Sequence, residues 1–546
     1  MLFMNAMKSV LSTRLWSGCF LLLPALCQAS SRHCDAWDSA PTVTLASGVL
    51  VGTTTSLPSA TAVVNKFLGV PFANSPPERF SPPQDPRPWS QPLSVLAVKP
   101  ACIQQWPYAQ EVRDFVQRLW NNPGGPPPAE SEDCLYLNVF APSTAPPPGG
   151  RAILFWLYGG SLQWGQASNL WYDGSVLAAY QDVIVVAPNY RTNVFGFSNS
   201  PQLPLASRNA GFLDQRQALA WVQANIVHFG GDPSKVTIFG WSAGGSSVDN
   251  LVTTTPKDPP FRAAIMESGQ YTYGTYFPKG VGLAAWQSLT EALNCSAVRD
   301  ALACVRAADA MKIKEIIEVA SLFFIPTVDN VTQLANPSQA RSERRIANVP
   351  LMLGTTAQEA RTPLGLNNLM ASLGNSFPDE PQLRADIVAA YPIGQGGLNT
   401  EYDIITQIDT EIRSQCVSSL IASRNIEAGY PTWRYIFNAT FPNNEAFPNG
   451  GAYHGTQVPL VFGTYPSVNA TAQEVALSSY MQAAWAGFAK NPERGPGWNQ
   501  VGSFDGVDLG VLGQGGSAGV TVMKSAEVDF RCGLYWAALE RNGIFY

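Results

Sequence analysis

The sequence predicts an α/β fold in which a mostly parallel central sheet is flanked by helices. Three observations predict it. Short apolar runs rich in β-branched residues recur at 152–158, 183–187, 236–239, 263–266 and 349–353. Unbroken apolar runs of that length suit strands buried on both faces. Helix-like stretches such as 214–227 lie between several of them, and strand–helix alternation is the pattern of parallel crossover connections. The third observation is local. Gly240-Trp241-Ser242-Ala243-Gly244 follows the strand-like Val236-Thr237-Ile238-Phe239 and precedes Gly245-Ser246-Ser247-Val248-Asp249-Asn250-Leu251, which can start a helix.

Composition bounds what the chain does. It has 546 residues, 46% hydrophobic and 14% charged. That is less charge than most soluble domains carry and suits a large, well-buried globular protein. The net charge is -6, with no basic block, which argues against a nucleic-acid partner. There is no internal repeat. The stretch 141–150 is rich in Pro and Gly and 510–519 in Gly, so both read as surface loops. Composition does not change after either, so one domain is expected over 30–546.

The N-terminus reads as a targeting segment, 1–29. Lys8 and Arg14 precede an apolar run, 16–27, and Cys27-Gln28-Ala29 offers a small-residue cleavage site. The run is short for a bilayer span, and no later segment is long and apolar enough. A soluble, secreted mature chain is expected, without a stable membrane span. Cys19 and Cys27 fall in the leader, leaving Cys34, Cys102, Cys134, Cys295, Cys304, Cys416 and Cys532. No Cys-x-x-Cys occurs, which argues against a metal site. Three disulfides and one odd thiol are the natural reading in an oxidising compartment. Asn294, Asn330, Asn438 and Asn469 each open an Asn-x-Ser/Thr glycosylation sequon.

Strand, Gly-x-Ser-x-Gly, helix is the arrangement of a nucleophile elbow, the sharp turn that exposes a serine hydroxyl above a sheet. A Cβ would collide at each flank of such a turn, which explains the two glycines. Ser242 alone is a poor nucleophile and needs a base held by a carboxylate. The chain has three histidines: His33, His228 and His454. Elbow enzymes run in the order serine, acid, histidine, and only His454 follows Ser242. The acid belongs on a loop leaving a strand between them. Glu359, in Gly354-Thr355-Thr356-Ala357-Gln358-Glu359 after the run Val349-Pro350-Leu351-Met352-Leu353, meets that description. The oxyanion of a tetrahedral intermediate needs fixed N–H donors. Ala243 supplies one, and Tyr158-Gly159-Gly160-Ser161 supplies a small-residue loop for others. This chemistry needs no cofactor; its partner is a small-molecule ester.

Glu132-Asp133-Cys134-Leu135-Tyr136-Leu137-Asn138-Val139 resembles the signature of the type-B carboxylesterases, the family of carboxylesterases, cholinesterases and some fungal lipases. Gly69-Val70-Pro71-Phe72-Ala73, Asn189-Tyr190-Arg191, Asp214-Gln215 and Phe229-Gly230-Gly231-Asp232-Pro233 resemble it too. The resemblance runs from about residue 40 to the C-terminus. It implies a single α/β-hydrolase domain with Ser242, Glu359 and His454 as the triad. It implies oxyanion donors from Gly160, Ser161 and Ala243. It also implies the pairs Cys102–Cys134, Cys295–Cys304 and Cys416–Cys532, with Cys34 left over.

The chain departs from the family at three positions. Trp241 stands where the family usually has Glu before the nucleophile. Ser161 replaces a third glycine, and Gln457 replaces a glutamate three residues after the histidine. Losing two carboxylates predicts a more neutral, apolar pocket, with Trp241 and Trp120 as substrate-binding side chains. Neutral, apolar carboxylic esters are therefore the expected substrates. Three alternatives stay open. Trp120-Asn121-Asn122-Pro123 resembles the cholinesterase segment whose tryptophan stacks on a cation. A loop closed by Cys102 and Cys134 could serve a lipase as a lid. The family also includes non-catalytic adhesion proteins, against which the intact Ser242, Glu359 and His454 argue.

Overall fold

Eleven strands build the central sheet of the computed structural model, which describes residues 40–273, 275–276, 280–363, 368–542 and 544–545. The predicted leader, with His33 and Cys34, lies outside the described residues. The strands of this sheet are β1 (Thr53–Thr55), β2 (Val64–Pro71), β3 (Tyr136–Pro142), β4 (Arg151–Leu157), β5 (Ile184–Pro188), β6 (Gly231–Trp241), β7 (Ala263–Glu267), β8 (Leu351–Thr356), β9 (Thr432–Phe437), β10 (Val507–Leu512) and β11 (Val520–Lys524). Their order across the sheet is β11-β10-β9-β8-β7-β6-β4-β5-β3-β2-β1.

The pairings from β10 through to β5 are parallel, and the flanking pairings are antiparallel. Burial explains the division. Every residue of β4, β5, β7, β8 and β9 is buried, as a parallel sheet covered on both faces requires. The edge strands β1 and β11 are mostly half-exposed and carry threonines and a lysine, which suits an edge that must not recruit another strand. At the centre of the core Trp156 lies 4.7 Å from the Phe239 ring, 4.9 Å from Tyr172 and 5.0 Å from Phe462.

The apolar runs locate the strands to within a few residues. One expectation fails. Residues 510–512 are not loop but the end of β10, where Gly510 pairs with Tyr435 and Leu512 with Phe437 of β9. Sheet pairing there outweighs the local glycine content. The other loop expectation holds beyond Pro142, the last residue of β3.

Helix α1 (Ala210–Asn225) starts four residues earlier than its apolar pattern. Its buried Asp214 takes two hydrogen bonds from the Arg191 guanidinium, at 2.8 and 2.7 Å. Helix α2 (Ala243–Thr254) begins immediately after Ser242. Register then sets the geometry of the site. Leu157 lies beside Gly240, Trp241 beside Glu267, and Glu267 beside Gly354. The C-terminal ends of β4, β6, β7 and β8 thus line up, and ligands of open α/β sheets sit beyond such ends.

Disulfides join Cys102 to Cys134, Cys295 to Cys304 and Cys416 to Cys532. The first closes a loop that is pinned to helix α3 (Ala310–Val319) by charge. Lys314 reaches Glu130 at 3.0 Å, Arg113 reaches Glu318 at 2.8 Å, and the Trp106 N–H donates to Glu318 at 3.0 Å. Among the described residues, no helix is long and apolar enough to cross a membrane, and no group of three His, Cys, Asp or Glu side chains is placed to hold a metal ion.

Candidate active site

The chain reverses direction at Ser242 within a single residue. Its φ of 58° and ψ of -125° lie outside the regions an L-residue prefers, a strain that persists only where the surroundings enforce it. Two backbone hydrogen bonds enforce it here: Ser242 N–H donates to Glu267 O at 2.8 Å, and Ser246 N–H donates to Ser242 O at 2.9 Å. The flanking glycines are steric requirements. A Cβ on Gly244 would stand 1.9 Å from Leu157 O, and one on Gly240 would stand 2.6 Å from Gly244 C. Ser242 itself stays partly exposed.

The loop after β4 runs past the serine. At Gly160 the backbone adopts φ +119°, and a Cβ there would lie 2.1 Å from Trp164 O. Ser161 follows at φ 55° and is exposed. Among the described residues, neither the Gly160 nor the Ser161 N–H has a protein acceptor. Ala243 is the first residue of α2, where the helix leaves its own N–H without a partner. Tyr158 anchors the loop's start. Its hydroxyl donates to Tyr190 O at 2.9 Å, while the Tyr190 hydroxyl donates to Tyr158 O at 2.7 Å. Farther on, Asn193 N–H donates to Leu162 O at 2.7 Å.

The histidine and the acid arrive from separate loops. Glu359 follows β8 by three residues and is 7% exposed. One of its oxygens accepts the Thr356 N–H at 2.7 Å, and the other lies 2.6 Å from His454 Nδ1. The loops are laced together next door: Gln358 N–H donates to Ala452 O at 3.0 Å, and Ala452 N–H donates to the Gln358 side chain at 2.7 Å. An imidazole whose Nδ1 is held by a carboxylate presents Nε2 as a base.

The two tryptophans assigned to substrate have different fates. The Trp120 indole N–H donates to the His454 carbonyl at 2.9 Å. Its ring, partly exposed, stacks on Trp164 at 6.5 Å and 15°, and Trp164 stacks on Trp106 at 5.6 Å and 24°. Phe115 and Phe447 extend this aromatic wall. Trp241 is a correction. It is only 1% exposed, with its ring 4.9 Å from the His454 ring. Being the last strand residue before the elbow, opposite Glu267, it points into the protein and backs the histidine instead of offering a face to substrate.

Sequence reasoning also missed a carboxyl. Glu267 is wholly buried at the end of β7. It accepts the Trp485 indole N–H at 2.9 Å and the Gln457 amide at 3.2 Å. Burial pushes its carboxyl up to about 7, and these two donors only partly oppose that. The signal was a charged residue closing an apolar strand beside the nucleophile strand. The two family carboxylates are absent at Trp241 and Gln457, yet a third stands against both positions.

Comparison with known proteins agrees with this architecture. The sequence profile of the carboxylesterase family matches residues 39–507. The chain is 32% identical to liver carboxylesterase B-1 of Rattus norvegicus, over 84% of this chain and 87% of that one. It is 32% identical to the para-nitrobenzyl esterase of Bacillus subtilis strain 168, over 78% and 86%, and 32% identical to the acetylcholinesterase of Bungarus fasciatus, over 80% and 76%. The chain belongs to the carboxylesterase family and is a carboxylic ester hydrolase.

Proposed function

We propose that Ser242, His454 and Glu359 form the catalytic triad of a secreted esterase acting on neutral, apolar carboxylic esters through an acyl-enzyme. The observation that carries this reading is the 2.6 Å contact between His454 Nδ1 and Glu359, in a loop whose His454 ring packs on Trp241, the residue before the strained, partly exposed Ser242. His454 Nε2 takes the Ser242 proton as Oγ attacks the ester carbonyl. The N–H groups of Gly160, Ser161 and Ala243 receive the oxyanion. The imidazolium then protonates the leaving alcohol. Water repeats the sequence on the acyl-enzyme, releasing the acid and restoring Ser242.

The preference for neutral, apolar esters rests on the partly exposed rings of Trp120 and Trp164, backed by the buried Phe115 and Phe447, and on the missing carboxylates at Trp241 and Gln457. An apolar group set against such a wall gains roughly 25 cal/mol per Å² buried. The experiment is kcat/KM for a choline ester against its uncharged isostere with the same acyl chain. The neutral ester is expected to win; a preference for choline would instead make Trp120 a platform for a cation.

Secretion with removal of 1–29 is supported by three disulfides, which persist in oxidising compartments. Asn294, Asn330 and Asn469 are exposed, so they are the sequons open to glycans. Asn438 is half-buried, and its amide nitrogen donates to Gln514 at 2.8 Å, so it is expected to stay bare. Peptide mapping of the chain secreted from eukaryotic cells tests both points: a retained leader or a glycan on Asn438 would contradict them.

A further inference from the structure

One buried carboxyl is left over once the reaction has been written. The Glu267 carbonyl accepts the N–H of Ser242, while its side chain is bound by Gln457, three residues after His454, and by Trp485 of helix α4 (Ala472–Lys490). One residue therefore touches the backbone of the nucleophile and the loop of the base. Trp241, its neighbour across the sheet, packs on the His454 ring.

We propose that Glu267 is a positioning residue of this site, which holds the Ser242 elbow and the His454 loop in register through Gln457 and does so in its protonated form.

The surroundings favour the neutral acid. Desolvation is the dominant influence on Glu267, and among the described residues no cation offsets it. A buried unpaired carboxylate is far more costly than the buried acid. The titratable groups that feel its charge are Tyr172, before helix Ser175–Gln181, and Tyr435 of β9, which also feels Glu359. Both phenols are pushed far up by burial and stay neutral. From α4 comes only the Trp485 N–H, and from the His454 loop the Gln457 amide. The Gln457 amide oxygen is buried without a protein donor. Charged Glu267 accepts from the Gln457 amide nitrogen. Protonated Glu267 donates to the amide oxygen once the amide turns over, which gives the buried Gln457 oxygen the donor it otherwise lacks. Ionisation places a negative charge behind Trp241. It removes the donor to the Gln457 oxygen, turns the amide round again and loosens the link between the elbow and the His454 loop.

The inference rests on the triad reading, and its test is separable from it. In the wild type, kcat/KM should fall on the alkaline side through an inflection near the about 7 of Glu267. Glu267→Ala should lower kcat about tenfold, which is about 1.4 kcal/mol of barrier, with a smaller change in KM. Glu267→Gln, the isostere of the protonated acid, should restore most of that loss and erase the alkaline inflection. An inflection that survives in Glu267→Gln would overturn the proposal, as would equal losses in both variants. Infrared titration of Ser242→Ala reads the same group without activity. A carbonyl band of a protonated carboxylic acid should disappear as pH rises through neutrality and be missing when Glu267→Gln is added. Its absence at acid pH would overturn the proposal even if the triad stands, whereas a failed triad would show as activity in Ser242→Ala with the band intact.

Discussion

Glu359 holds His454 with one carboxylate oxygen, 2.6 Å from Nδ1, while its other oxygen is taken by the Thr356 N–H at 2.7 Å. The acid cannot rotate without breaking a bond to the strand end that delivers it. Two rings flank the histidine ring, Trp241 at 4.9 Å and Trp120 edge-on at 6.1 Å, and the Trp120 N–H also donates to the His454 backbone carbonyl at 2.9 Å.

That arrangement makes the tautomer of His454 depend on Glu359. In Glu359→Gln the side chain offers an amide that can turn its N–H₂ to Nδ1, moving the proton to Nε2, where the base is needed. A loss of about 10⁴ in kcat is expected, as when the triad acid becomes its amide in serine hydrolases. Binding of a non-hydrolysable ester analogue should survive. Steady-state kinetics and calorimetry check the two halves; near-wild-type kcat would show that the carboxylate does not orient the base.

Trp120 ties the Cys102–Cys134 loop to the base. Trp120→Phe keeps a ring and deletes the N–H to His454 O. Losing one buried hydrogen bond leaves an unsatisfied carbonyl at about 1–2 kcal/mol. A fall of roughly tenfold in kcat/KM is expected for substrates of any charge. A loss confined to cationic substrates would mark Trp120 as a ligand platform and not a support.

Ser161 occupies φ 55° in the oxyanion loop, a left-handed conformation that a residue with a Cβ adopts at about 1 kcal/mol. Ser161→Gly should therefore stabilise the fold by up to about 1 kcal/mol, less what glycine adds to unfolded-chain entropy. Denaturant unfolding measures it. A clear loss of stability would mean that the Ser161 side chain makes a compensating contact.

Glu267 also links stability to pH. Its folded-state value, about 7, lies above the ordinary 4.5. A raised value means that the folded chain binds the proton more tightly than the unfolded one. Its contribution is complete below 4.5 and is lost as pH rises through about 7. At about 1.4 kcal/mol per unit, the loss is about 3 kcal/mol. Glu267→Gln should escape it, so the stability of wild type relative to this variant should fall across that window. A constant difference from pH 4.5 to 8 would contradict the buried, protonated acid.

Much of this was legible in the chain because burial on two faces leaves a plain trace. The strands β4, β5, β7 and β8 appear as unbroken apolar runs, and Gly240 and Gly244 announce a turn that tolerates no Cβ. Serine, acid and histidine could be ordered because only one histidine follows Ser242. The disulfide pairs came from the family resemblance, since spacing alone does not choose among pairings. What escaped depends on side-chain direction at strand ends. The place of Trp241 before the nucleophile suggests a substrate contact, whereas the side chain is only 1% exposed and packs on the His454 ring. Glu267 was passed over because the apolar run seemed complete at Met266. Glycine-rich 510–512 read as loop, because a pairing with β9 leaves no local mark.

The proposed mechanism stands or falls on Ser242 as the nucleophile that His454 and Glu359 activate. The most direct measurement is labelling by a fluorophosphonate, with the modified residue identified by peptide mass spectrometry, in wild type and Ser242→Ala alongside ester turnover. A single adduct on Ser242 is expected, none in the variant, and a fall in kcat on the order of 10⁶ with the fold retained. An adduct on another residue, or more than a few per cent of wild-type turnover in folded Ser242→Ala, would contradict it.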